Sequence, residues 1–133
     1  MVMSGYSQLP MEPCEWWPVQ QPGEYADYSY CATGDITVNG VQDNILSMSI
    51  SVMPSGSGEV QLSRLTLSDT GNLITVWLQG GVAGRVYIYQ LILNTQGLRT
   101  YPIFIGQLCN PLLAANPVPP PPSPFFGNPV TWP

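Results

Sequence analysis

The amino-acid sequence predicts an all-β protein, in the form of a small β-sandwich with six or seven short strands. Residues 73–93 contain two runs rich in β-branched and aromatic residues around a glycine-bearing turn, which is the pattern of a β-hairpin. In residues 46–52 apolar side chains alternate with serines, as in a strand that is buried on one face. Prolines leave space for a helix of only about one turn, in residues 112–115.

Residues 1–34 are interpreted as an extended N-terminal arm. Four prolines interrupt any helical or strand period in this segment. The arm would place five aromatic residues against another surface: Trp16, Trp17, Tyr25, Tyr28 and Tyr30. That surface is either a partner protein or one face of the chain's own sheet.

The sandwich itself is expected to occupy residues 35–108. Ile36 and Val38 form a short apolar pair before a turn of Asn and Gly at residues 39–40. In residues 60–67 the apolar positions keep a spacing of two but slip once, at Ser63-Arg64. A β-bulge explains such a slip, because one extra residue resets which face the next side chains occupy.

The hairpin and the strand after it complete the predicted sandwich. Ile74, Val76 and Leu78 are expected to face inward in the first hairpin strand. The second hairpin strand is apolar at nearly every position, which is typical of a strand covered on both faces. The N-terminal arm or a neighbouring subunit would supply the second cover. Pro102 cannot donate a hydrogen bond, so we expect the last strand at a sheet edge or with its N–H side free.

Residues 109–133 are interpreted as a proline-rich C-terminal tail. Nine of the fifteen prolines lie in residues 110–133, and such a composition favours extended polyproline II structure. The tail also carries Phe125, Phe126 and Trp132, which disordered tails usually lack. We therefore expect the tail to dock on a partner, with docking on the chain's own sandwich as the alternative.

Charged residues are scarce, and their scarcity bears on the partners. They make up 8% of the chain, against about 25% in an ordinary soluble domain, and the formal net charge is −5. The only cations are three arginines, so we expect no binding to nucleic acid, which needs cations to replace phosphate counterions. No apolar run is long enough to predict a membrane-spanning helix. A surface this poor in charge favours a protein covered by other subunits.

No group of reactive side chains predicts an enzyme, a cofactor or a metal site. The chain has no histidine, which removes Ser/His/Asp triads and Cys/His dyads. The closest carboxylate pairs, Glu12 with Glu15 and Glu24 with Asp27, lie on a proline-broken segment that cannot hold catalytic groups rigidly. The three cysteines are widely spaced and are interpreted as reduced thiols, with one disulfide as the alternative.

The central hairpin resembles that of a known group of proteins. The segment ITVWLQGGVAGRVY, residues 74–87, and the turn at residues 95–100 are similar to those of fibre-tail adaptors, small virion proteins of tailed bacteriophages. The dipeptide Asp27-Tyr28 also stands where it does in those proteins. The similarity covers roughly residues 20–107, with Leu98 inserted in the turn and the proline-rich tail as departures. The resemblance implies an Ig-like β-sandwich and a place in the virion.

The resemblance implies a non-enzymatic virion protein, assembled in the host bacterial cytoplasm, that links a tail fibre or spike to the tail tube or connector. Its partners would be other virion proteins, and it would form a homo-oligomer within the particle. Two alternatives stay open: a capsid decoration (cement) protein, and a carbohydrate- or surface-binding module that uses Trp77 with Tyr87 or Tyr89. Aromatic residues dominate protein interfaces. The candidate interface residues are Trp16, Trp17, Tyr25, Tyr28, Phe125, Phe126 and Trp132.

Overall fold

The computed structural model describes residues 13–111 and 117–133 of the chain, and nearly all regular secondary structure in this part is β-strand. The helix-friendly residues 112–115 and the carboxylate of Glu12 lie outside the described residues. The strands are β1 (Glu15–Trp16), β2 (Tyr25–Cys31), β3 (Thr37–Val38), β4 (Val41–Gln42), β5 (Ile45–Met53), β6 (Gln61–Leu67), β7 (Leu73–Gln79), β8 (Val86–Thr95), β9 (Thr100–Leu108) and β10 (Val130–Trp132). One helical turn, α1 (Thr33–Ile36), follows β2.

Two sheets share one core, which confirms the predicted all-β sandwich. A five-stranded sheet has the order β1-β9-β8-β5-β10, and a three-stranded sheet has the order β2-β7-β6. The short strands β3 and β4 form a separate hairpin. Val76 and Leu78 of β7 and Tyr89 and Leu91 of β8 are buried members of the core. Alternate residues of the central strands therefore fill the space between the two sheets.

Several local predictions are confirmed. Ile74, Val76 and Leu78 are all buried in β7. The pairing of β6 with β7 shifts register between Ser63 and Thr66, which is the predicted bulge. The turn between β3 and β4 has positive φ at both central residues, 39 and 40, as a tight hairpin turn requires.

The N-terminal segment belongs to the sandwich more than its interpretation as an arm suggests. All seven residues of β2 pair with β7, in register from Tyr25 opposite Gln79 to Cys31 opposite Leu73. Ahead of β2, β1 pairs in parallel with β9. The strand pattern of β2 is hard to recognise because its inward residues include the half-buried tyrosines Tyr28 and Tyr30. The outward positions of β2 carry short polar side chains and one aromatic ring, so apolar and polar residues do not alternate in the usual way.

The described part of the tail lies along the chain's own sheet, so the expectation of a tail docked on a partner is corrected. Strand β10 pairs with β5, with Val130 opposite Ile50. Further along β5, the Gly127 N–H donates to the Val52 carbonyl at 3.0 Å. The physical reason is the free edge of β5, whose main-chain groups need hydrogen-bond partners. The tail supplies them from within the chain.

Strand β9 is an edge strand only in its first part. β1 pairs with it at Ile105 and Gly106, away from Pro102. On its other side β9 pairs with β8 along its whole length, with Pro102 opposite Ile92. Within the described ranges, the outer side of β9 at Pro102 has no strand beside it, as a residue without an N–H group requires.

Candidate interaction surface

Of the seven candidate interface residues, Trp17 is buried in the core, and Tyr28 is half-buried and packs against it. The Trp17 side chain is 8% exposed, and its ring lies 5.5 Å from that of Tyr28 and 4.9 Å from that of Tyr89. The Trp17 Nε1 donates to the Ser29 carbonyl at 2.8 Å, which ties the N-terminal segment to β2. Burial and a hydrogen bond to Glu24 raise the pKa of Tyr28 to about 12. Both rings therefore hold the two sheets together.

Trp16 lies on the outer face of the five-stranded sheet. A Cβ atom added to Gly106 would come within 2.7 Å of the Trp16 ring, so the glycine makes room for this contact. Ile88 is opposite Gly106 in the sheet, shares its face and is buried. The N-terminal segment thus covers the outer face of β9 at Gly106, beside the position of Ile88 in β8.

The aromatic residues of the tail differ in exposure. Phe125 is 73% exposed, and its backbone carbonyl accepts a hydrogen bond from the Ser55 hydroxyl at 3.0 Å. Phe126 is half-buried. Trp132 is also half-buried and packs against the core. Phe125 is therefore the tail residue most available for an intermolecular contact.

Tyr25 belongs to a group that we call the aromatic platform, formed by Tyr25, Arg64 and Trp77 on the outer face of the three-stranded sheet. The rings of Tyr25 and Trp77 stack with centroids 5.0 Å apart and planes 28° apart. The Arg64 guanidinium carbon lies 5.5 Å from the centre of the Trp77 ring, within the range of a cation–π interaction. Tyr25 is 50% exposed, so the platform is open to solvent. Tryptophan, tyrosine and arginine are the residues most enriched in binding hot spots.

Sequence reasoning identified only part of the platform. The strand alternation places Trp77 outward, but Arg64 was not singled out. Arg64 lies in the bulge of β6 with a φ of +55°, and this left-handed backbone takes it out of the regular alternation. The slip at Ser63-Arg64 was the only signal in the sequence that could have indicated its special position.

The expectation that Tyr87 or Tyr89 stacks on a sugar ring is corrected. Both side chains are fully buried. The Tyr89 hydroxyl donates to Gln107 Oε1 at 2.8 Å inside the core. The inward face of β8 carries these tyrosines because β8 is the central strand of the larger sheet. Only Trp77 of the proposed sugar-binding set is at the surface, and its ring is already in contact with the rest of the platform.

A buried polar cluster holds the turn at residues 80–84 beside the core. Arg85 Nε lies 2.8 Å from Glu59 Oε1, and both side chains are buried. The Tyr87 hydroxyl donates to the same carboxylate oxygen at 2.7 Å and accepts from the Val82 N–H at 2.9 Å. Burial, then the hydrogen bond to Glu59, raises the pKa of Tyr87 well above its ordinary value. Because each group is engaged with another, the cluster fixes the hairpin rather than offering a reactive acid or base.

The remaining chemistry of the described residues is sparse. Residues 13–111 and 117–133 include no group of three His, Cys, Asp or Glu side chains placed to hold a metal ion. Cys14 and Cys31 are exposed and Cys109 is buried, and none of the three forms a disulfide. Over the same ranges, no helix is long and apolar enough to cross a membrane.

The sequence was compared with models of known protein families. The family model described as podophage GP4 fiber-tail adaptor protein gp77 matches residues 20–102. The matched region runs from just before β2 into β9 and contains the whole aromatic platform. No curated protein sequence matches the chain.

Proposed function

The chain belongs to the podophage fibre-tail adaptor family, whose model covers well over half of it, and from this membership we propose that it is a non-enzymatic subunit joining a tail fibre or spike to the tail tube or connector. The family gives the virion context and the structural role. The specific junction, and the residues that make it, are inferred from the surface of the sandwich.

The aromatic platform is the observation that supports this proposal. Its two stacked rings lie together at the surface with the Arg64 guanidinium beside them, and form a partly exposed aromatic centre. Polar side chains flank Trp77 on both sides, because Asp27 and Ser63 are opposite it in the neighbouring strands. An apolar centre with a polar rim is the usual arrangement of a protein–protein interface.

The test is a phage that carries Trp77→Thr, or Trp77→Thr with Tyr25→Thr. Threonine suits strand positions, so the purified variants should keep the far-UV circular dichroism of the native chain. In purified particles we expect less of the variant chain, relative to the portal protein, and a matching loss of tail fibre. Quantitative mass spectrometry measures both. Val19→Thr, a change at an exposed apolar residue outside the platform, is the matched control and should leave both amounts unchanged.

The same measurement on the native particle separates the adaptor from the alternatives. A copy number similar to that of the portal protein supports an adaptor. A number many times larger would place the chain in the capsid shell as a decoration protein and contradict the proposal. Native fibre content in the Trp77→Thr particle would exclude the platform as the contact.

A further inference from the structure

The three arginines of this chain differ in whether they have an acidic partner. They are its only cationic side chains, beside eight carboxylates. Arg85 is paired with Glu59 at 2.8 Å and Arg99 with Asp43 at 3.4 Å. Within residues 13–111 and 117–133, Arg64 is exposed and forms no ion pair. An acidic protein thus leaves one surface cation without a counter-charge.

Arg64 also occupies a backbone position that an arginine disfavours. Its φ of +55° is left-handed, and glycine is the usual residue at a left-handed bulge position. Asparagine would also form this bulge at a lower conformational cost than arginine. The bulge therefore does not explain why residue 64 is an arginine, and a backbone outlier of this kind is a reason to look for a function of the side chain.

The Arg64 guanidinium is placed to bind an anion. Its central carbon lies over the Trp77 ring, 5.5 Å from the ring centre. A guanidinium above an aromatic ring keeps the N–H groups along its edge free, and these match the two oxygens of a carboxylate. The contact with Trp77 orients the group before any partner arrives, so less conformational entropy is lost on binding.

Asp27 places the opposite charge on the other side of Trp77. It is exposed and lies opposite Trp77 in β2, whereas Ser63, the neighbour of Arg64, lies opposite Trp77 in β6. Strands β2 and β6 flank β7, so their backbones are about 10 Å apart, which is two interstrand spacings. In the described part of the chain Asp27 has no ion pair either. The aromatic platform is thus bordered by a negative charge on one side and carries a positive charge on the other.

This arrangement of charges favours a protein partner over a polyanion. A nucleic acid or a polyphosphate would gain one contact with Arg64 but would be repelled by Asp27 and by the net charge of −5. A protein surface can present one carboxylate and one cation at the required spacing. Such a complementary pair selects the partner surface and fixes its orientation.

We propose that the aromatic platform binds a protein surface that presents a carboxylate to Arg64 and a lysine or arginine to Asp27. The rings of Tyr25 and Trp77 make the apolar contact between the two ion pairs and exclude water from them, which strengthens the pairs. This inference rests on the proposed function, which places the platform at a junction between virion proteins, and it adds the charge pattern of the partner.

The first test exchanges the two charges in the phage. Asp27→Arg combined with Arg64→Asp leaves the formal net charge at −5. Aspartate tolerates positive φ, so the purified variant should keep the native melting temperature. In purified particles we expect the amount of tail fibre, relative to the portal protein, to fall roughly tenfold or more, because each exchanged charge faces a like charge on the partner. Quantitative mass spectrometry measures this ratio.

A single substitution separates a contact role of Arg64 from a structural one. Arg64→Asn removes the cation and suits the backbone, so the melting temperature should stay the same or rise while the fibre content falls. Gln96→Glu, in the exposed turn between β8 and β9, changes the net charge by the same amount and is the matched control. The control particle should keep its native fibre content.

Salt tests the ion pairs directly. Sodium chloride screens charges at an interface, so native particles should lose fibre as its concentration rises. Arg64→Asn particles should show a weaker dependence on salt, since one of the two ion pairs is already missing. The same dependence in both particles would contradict a carboxylate at Arg64.

The Trp77→Thr particle distinguishes failure of this inference from failure of the proposed function. Fibre loss in that particle, together with native fibre content in the charge-exchange particle, would retain the platform as the contact and overturn the charge pattern. Native fibre content in both particles would overturn the platform as well. Fibre loss in both, with the native content in Gln96→Glu, is the result that we expect.

Discussion

Two neighbouring tryptophans show how one position in a strand changes the role of a side chain. Successive residues of an extended segment point to opposite faces. Trp17 accordingly lies between the sheets against Tyr89, while Trp16 lies outside against Gly106. Both tryptophans suit an interface by residue type, but only Trp16 is exposed, whereas Trp17 belongs to the core.

The separation gives a prediction for single substitutions. Trp17→Ala should lower the free energy of unfolding by about 3–5 kcal/mol, the usual cost of emptying a large buried site. Trp16→Ala removes a ring that is 42% exposed and should cost less, about 1–2 kcal/mol. Urea denaturation followed by circular dichroism measures both. Trp17→Phe keeps a ring but loses the hydrogen bond to Ser29, so its cost should fall between the two. Equal losses for the two alanine variants would contradict the assignment of Trp17 to the core.

Strand β10 protects the edge of the larger sheet by pairing with β5. Removal of residues 129–133 takes away the partner of β5 between Met48 and Ile50, together with the half-buried Trp132. We expect a loss of about 2–3 kcal/mol in unfolding free energy and a rise in light scattering, since a bare edge pairs with other chains. Thr131→Ser, a change at an exposed position of β10, is the control. A truncated chain with the native melting temperature would show that β10 does not stabilise the sheet.

The elements that could be predicted are those with a local signal. The alternation in β7, the slip in β6 and the turn at residues 39–40 all depend on neighbours within a few residues. The pairing of β1 with β9 and of β10 with β5 joins segments about 80–90 residues apart, and a single sequence has no periodicity that reports such contacts. The sequence therefore gives no sign that the tail pairs with β5, and it favours docking of the tail on a partner.

The same limit applies to the platform and to the turn between β8 and β9 that carries Leu98. Tyr25 was identified by its residue type, but its contact with Trp77 depends on the register of β2 against β7. Leu98 stood out in the sequence only as an extra residue in a turn. Its exposure and its positive φ become visible only in three dimensions.

The protein has few charged residues with which to repel other chains. It limits association mainly by covering the edges of its larger sheet. The N-terminal segment and the tail cover opposite edges of the five-stranded sheet. The apolar side chains that stay exposed are spread over several places and include Tyr25 in the platform, Val19 in the N-terminal segment, Leu98 in the turn between β8 and β9, and Phe125 in the tail.

The covering of both edges by distant segments also has a consequence for the order of folding. Hairpins such as β8–β9 close over a few residues, whereas β1 and β10 must close loops of about 80–90 residues, at a greater entropic cost. We expect pulsed hydrogen exchange during refolding to show protection in β8 before β1 and β10, and simultaneous protection would contradict this order. Until the last strands dock, the intermediate exposes both edges of a nearly complete sheet. The period of greatest aggregation risk therefore comes late in folding, when most of the core has already formed.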